Sequence, residues 1–219
     1  MTWQRFCDFD MGEMMLEKED VVYQKLVGLY PPIFKWLTSK TLGEGAKKSY
    51  YQYYDKELWL PIKDIIISIR DKKDKSKIDN ELLECCHIGE VYRIHRYNDC
   101  KKGHIYPWGC YQSWALEGGL EKFTKLGGTV LLLCGHAAEE DFAINTFDLL
   151  CFMFRNFQIV IPDRFHEPKQ LLTYEDELEI VMPIKQESLD NVVIVDSREI
   201  INWRECGVEL PKEKWFRIL

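Results

Sequence analysis

Apolar residues recur at helical spacing between Gly12 and Trp36, at Met14, Met15, Val21, Val22, Leu26, Val27 and Leu29. Pro31-Pro32 is expected to break this pattern before Phe34-Lys35-Trp36-Leu37 resumes it, and Gly43-Glu44-Gly45 punctuates again. A tyrosine-rich run, Tyr50-Tyr51-Gln52-Tyr53-Tyr54, leads through Leu58-Trp59-Leu60-Pro61 into Ile62–Ile69. That stretch predicts a buried helix, although Ile65-Ile66-Ile67 would also suit a strand. The tyrosine stripe reads as packing surface. Arg70-Asp71-Lys72-Lys73-Asp74-Lys75-Ser76-Lys77 carries mixed charge and no apolar residue, which marks a solvated turn and a boundary. The chain up to residue 84 therefore reads as a helical N-terminal lobe.

From residue 85 short strands dominate. Glu90–Tyr97 and Cys110–Leu116 are strand-like, and Gly118-Gly119 closes the second before a short helix over Leu120–Leu126. Gly127-Gly128 precedes the most apolar strand, Thr129–Cys134. A helix is expected from Ala137 to about Phe154, with Asp141, Asn145 and Asp148 on its polar side. Phe157–Pro162, Leu178–Met182 and Asn191–Val195 read as further strands, and Trp215–Leu219 as a last edge strand. Helices do not alternate regularly with strands, so residues 85–219 are expected to form an α+β domain.

Composition narrows the function classes. With 219 residues, 46% of them hydrophobic and 13% aromatic, the chain has ample material for a core. A net charge of -7 argues against a general nucleic-acid binder. No window approaches a membrane span, and the acids at Asp8 and Asp10 stand where a signal peptide needs an apolar run. A cytoplasmic protein, or one delivered into a target cell's cytoplasm, is expected. The eight cysteines form no CxxC pair and read as reduced, structural thiols.

Candidate chemistry centres on Tyr174-Glu175-Asp176-Glu177-Leu178-Glu179. On a strand Glu177 and Glu179 would share one face, where two carboxylates repel unless a cation lies opposite. Glu179 sits between Leu178 and Ile180, where a free acid is costly to bury. Upstream lie Val91-Tyr92-Arg93 on one strand and Tyr111-Gln112-Ser113-Trp114-Ala115 on another. This order of Arg, Ser and Glu-x-Glu over residues 88 to 200 resembles the mono-ADP-ribosyltransferases related to cholera toxin and the clostridial ADP-ribosylating toxins. Here Ser113-Trp114-Ala115 replaces the frequent Ser-Thr-Ser, and Arg96 rivals Arg93 for the phosphate role.

The resemblance implies a mixed, mostly antiparallel split β-sheet core at residues 85–219. It also implies NAD+ as co-substrate, no metal, and a toxin-like or effector transferase that modifies a protein. Arg93 would clamp the pyrophosphate, with Tyr92, Ser113 and Trp114 as further cofactor contacts. Ser113 would hydrogen-bond Glu179, the carboxylate expected to face the ribose. Glu177 would orient or deprotonate the acceptor, with Tyr174 packed against it, and a Glu at that position goes with arginine acceptors. The chemistry is consistent, because cleaving nicotinamide from ribose builds positive charge that a fixed carboxylate stabilises. An arginine also grips pyrophosphate in a planar, bidentate way.

Three rivals remain at this level. An NAD+ glycohydrolase would need Glu179 but not Glu177. A metal hydrolase is suggested by His136-Ala137-Ala138-Glu139-Glu140, with His and Glu sharing a helix face. A non-enzymatic binding, immunity or adaptor protein would use the same acids to capture a basic partner. The N-terminal lobe is expected to position NAD+ or recognise the target.

Overall fold

Val21–Gly28 (α1) and Tyr30–Thr38 (α2) are separate helices, in a computed structural model that describes residues 21–38, 48–100, 108–157 and 178–215. The break falls at Leu29 rather than at the prolines. Pro31 and Pro32 occupy the first turn of α2, where a missing N–H leaves no intrahelical bond unmade, so they start a helix instead of interrupting one. Lys48–Tyr54 (α3) runs through a π-helical turn, Asp55–Trp59, into Leu60–Arg70 (α4). Ile62, Ile65, Ile66 and Ile69 are all buried on α4, a spacing of three and four that decides for helix over strand. The charged stretch after Arg70 is a turn, and Ser76 caps Lys77–Leu83 (α5) in a reciprocal capping box with Asp79.

The strands are β1 (Cys86–His87), β2 (Gly89–Arg96), β3 (Tyr111–Ala115), β4 (Thr129–Ala137), β5 (Ala143–Asn145), β6 (Glu179–Pro183), β7 (Leu189–Asp196) and β8 (Val208–Glu209). They form one sheet in the order β1-β5-β6-β3-β2-β4-β7-β8. Among the described residues every pairing is antiparallel, which corrects the expected mixed sheet. The fold class is α+β. Pairing is uneven: β2 and β4 stay in register from Gly89↔Ala137 to Arg96↔Val130, whereas β2 and β3 meet at Tyr92↔Ala115. The sheet therefore has a seam between β2 and β3.

Two expected elements differ. Instead of one helix over Ala137–Phe154, β4 continues to Ala137, a 3-10 turn covers Glu139–Asp141, and β5 precedes a helix at Thr146–Phe157. Short polar side chains stop the helix by bonding the backbone: the Asp141 carboxylate accepts from the Ala138 amide at 2.9 Å, and the Asn145 side chain accepts from the Asp148 amide at 3.1 Å. Asp141 is buried, not on a polar helix face. Phe142 turns the chain in the left-handed region, φ 50°. At the C-terminal end, Trp215 closes a short helix, Lys212–Trp215, and is buried, while β8 takes the sheet edge. Residues 158–162 and 216–219, also expected as strands, lie outside the described residues; Phe157 ends the helix that starts at Thr146.

The core has three parts. The N-terminal helices pack with Tyr111, Ile144 and Val181, so they share one apolar cluster with the β5-β6-β3 end of the sheet. Val91, Trp114, Leu131, Ile180 and Trp215 form a second cluster. Tyr92, Leu120, Leu132, Val193 and Trp203 form a third, covered by 3-10 segments at Glu117–Leu126 and Ser197–Asn202. Gly135 is required where β4 shifts register: a Cβ there would meet the Ser188 carbonyl at 2.8 Å and the Trp114 ring at 3.3 Å. Among the described residues no helix is long and apolar enough to cross a membrane.

Candidate functional site

The site forms where three neighbouring strands, β6, β3 and β2, pass the seam. Register fixes the placement of Glu179. Ala115 is its partner on β3, and the β5–β6 pairs Ile144↔Val181 and Asn145↔Ile180 bring Thr146 alongside from the other flank. Ser113, two residues from Ala115, stands on the same face and one diagonal step away. Leu178, just before Glu179, adopts φ 44° and turns the chain into β6, while its carbonyl accepts from the Leu116 amide at 3.2 Å.

Glu179 is half-buried and gathers donors on both carboxylate oxygens. The Ser113 hydroxyl donates to Oε1, as does the Trp36 indole Nε1 at 3.3 Å. The Thr146 hydroxyl donates to Oε2 at 2.8 Å. The side chain is thus oriented by β3, by the N-terminal end of the Thr146–Phe157 helix and by α2.

Arg93 leaves β2 from the face opposite Tyr92, because side chains alternate, and its guanidinium reaches the seam. There its Nη1 donates to the Ser113 carbonyl, a side chain standing in where β2 supplies no ladder amide. Its Nε donates to His95 Nε2 at 3.2 Å. Burial, with the Arg93 charge alongside, holds the His95 imidazole well below its usual pKa, so it stays neutral and accepts that bond. Arg93, Ser113 and Glu179 are therefore linked in series across three strands. Arg96, the rival for the phosphate role, is exposed and an odd number of residues from Arg93, which sends it to the other face.

Other expected residues lie elsewhere. Tyr92 and Trp114 are each 2% exposed and pack in the core, so neither has surface to offer a cofactor. The Tyr92 hydroxyl donates to Glu90 at 2.8 Å and accepts from Arg204 at 3.0 Å, and its ring lies edge-on to Trp203. Glu177 and Tyr174 lie outside the described residues. His136 is exposed on β4, and Glu139 sits in the following 3-10 turn, paired with Arg70 at 3.0 Å. The helix face proposed for a metal-binding pair does not form. Among the described residues no group of three His, Cys, Asp or Glu converges to hold a metal. Cys85, Cys110, Cys134 and Cys151 are buried free thiols, and burial pushes Cys134 up to about 12.

Thr146, Trp36 and His95 escaped the reading of motifs. Asn145-Thr146-Phe147-Asp148 is a capping sequence that would have started the helix at Thr146 and so exposed its neighbour relation to β6. No local signal ties Trp36 to a residue 143 positions away. Comparison of the chain with protein-family models, with curated proteins and with solved structures returned no match.

Proposed function

We propose that this chain transfers ADP-ribose from NAD+ to a protein acceptor, favouring an arginine side chain. The observation that carries the reading is the linked series Arg93–Ser113–Glu179 on adjacent strands at a seam in an antiparallel sheet. Three residues that sequence order alone suggested as one site are hydrogen-bonded neighbours. The seam and the α+β arrangement support a split sheet of the ADP-ribosyltransferase type.

The chemistry follows from the placement. As nicotinamide departs, positive charge builds on the ribose, and the oriented carboxylate of Glu179 faces it without having to reorganise. Nicotinamide leaves with the bonding electron pair. A nitrogen of the acceptor guanidinium forms the new bond to the ribose carbon and gives up a proton, which Glu177 accepts. Arg93 offers the cation for the pyrophosphate, and the neutral His95 holds its guanidinium in plane. Tyr92 and Trp114 act by packing rather than by touching NAD+.

The test is incubation with radiolabelled NAD+ and a cell lysate, followed by mass spectrometry of labelled proteins. Wild type labels arginine in an acceptor and releases nicotinamide, and Glu179→Ala does neither. Glu177→Ala loses transfer and keeps NAD+ cleavage. Cleavage with no labelled protein assigns the site to an NAD+ glycohydrolase. Absence of both activities in the wild type overturns the enzyme and leaves a binding protein.

A further inference from the structure

We infer that Thr146 and Trp36 are positioning residues for Glu179, so that the sheet and the N-terminal helices build one site together; this rests on Glu179 being the reacting carboxylate. Ser113 is the positioning hydroxyl that the motif order implies. The other two donors among the described residues come from places no motif marks, and they add to what Ser113 supplies. A carboxylate turns easily about its last torsion, which is broad and two-fold. Bonds to Oε1 alone leave that rotation available. Thr146, bonded to Oε2 at 2.8 Å, closes it.

Both donors are themselves held. Thr146 is 1% exposed and opens a helix whose start is fixed by Asn145, the residue paired with Ile180. The Trp36 indole is wedged edge-on between Tyr54 and Trp59, each ring centre 5.1 Å away, and is 3% exposed. Both side chains are buried, which restricts how far either can follow Glu179 if it swings. The rings behind Trp36 belong to α3 and the π-helical turn, which ties the carboxylate to the packing of the whole helical segment. Misplacement of a reacting group by about 1 Å costs on the order of 100-fold in rate.

The experiment uses the full chain. Thr146→Val, which keeps the shape and removes the hydroxyl, is expected to lower kcat for NAD+ cleavage about 10- to 100-fold with KM for NAD+ within about two-fold. Thr146→Ser, which restores the hydroxyl, is expected to recover kcat to within about three-fold of wild type. For Trp36 the readout is its indole N–H signal in a nitrogen-15 NMR spectrum, identified as the one lost in Trp36→Phe. That signal should move as carboxylates are titrated in the wild type and stop moving in Glu179→Gln. An unchanged kcat in Thr146→Val, or an indole signal indifferent to Glu179→Gln, overturns the inference. If the wild type cleaves no NAD+, the transferase reading falls, and the indole signal alone still decides whether Trp36 holds Glu179.

Discussion

Asp79 and Glu179 each collect several donors on one carboxylate, in different company. Asp79 is 2% exposed and accepts from the Tyr23 hydroxyl at 2.7 Å, the Lys72 ammonium at 2.8 Å and the Ser76 hydroxyl at 2.8 Å. Burial alone would raise its pKa, but the bonds from Lys72, Tyr23 and Ser76 outweigh it and hold the carboxyl at about 2. Its charge is answered by a cation, and its task is to pin α1 and the turn before α5 together. Glu179 stays half-buried beside a seam, and its described donors are two hydroxyls and an indole. Such donors fix direction while contributing no formal charge. Asp79, almost wholly buried and paired with an ammonium, is suited to structure, and Glu179, half-buried and held on both carboxylate oxygens, is suited to chemistry.

The contrast can be tested from both sides. The largest effect is expected for Glu179→Gln, which should cut NAD+ turnover about 1,000-fold while Tm moves by less than about 4 °C. A variant that instead fails to fold would place Glu179 with the structural acids. Asp79→Asn is the mirror image. It removes the charge from a buried acceptor that is bonded by Tyr23, Ser76 and the one-third-exposed Lys72, and should cost about 2 to 3 kcal/mol in denaturant unfolding, with turnover per folded molecule unchanged. Comparable turnover losses in the two variants would erase the distinction.

The third effect depends on pH. The Asp79 carboxyl is held below its ordinary value of 3.8, so its contribution is complete above that value and is lost as pH falls towards about 2. Acid unfolding followed by circular dichroism should show a loss of roughly 2 kcal/mol over that window. The same titration of Asp79→Asn should be flatter there. Smallest is Leu178→Gly. Glycine removes the cost of φ 44° but adds chain entropy and loses the leucine side chain, so stability should stay within about 1 kcal/mol. Turnover should fall about three- to ten-fold as Glu179 loses its rigid lead-in. A loss as deep as that of Glu179→Gln would move control of the carboxylate from its donors to the Leu178 backbone.

Much of the sheet was legible because its strands are written in dense apolar runs: Thr129–Cys134 and Asn191–Val195 both lie inside strands. α4 was legible down to its buried face, since Ile62, Ile65, Ile66 and Ile69 repeat at helical spacing. The stretch after Ala137 was not, because its apolar content fits a helix and the decision rests on two hydrogen bonds that backbone amides donate to the Asp141 and Asn145 side chains. Pro31 and Pro32 misled for a related reason: proline forbids a helix interior yet favours its first turn, and spacing alone does not say which applies. At the site, Arg93, Ser113 and Glu179 follow in motif order along the chain. Trp36 and His95 do not, since the bonds that enlist them join α2 to β6 and one β2 side chain to the next but one.

The thin pairing of β2 with β3 has a mechanical consequence. A sheet carries load from strand to strand through its rungs, and shear concentrates where rungs are fewest. With the blades β1-β5-β6-β3 and β2-β4-β7-β8 stitched at Tyr92↔Ala115 and braced by the Arg93 side chain, relative twisting of the two blades strains that brace first. The apolar cluster of Val91, Trp114, Leu131 and Ile180 also spans the joint, so a molecule that draws the guanidinium away from Ser113 removes one of several ties between the blades.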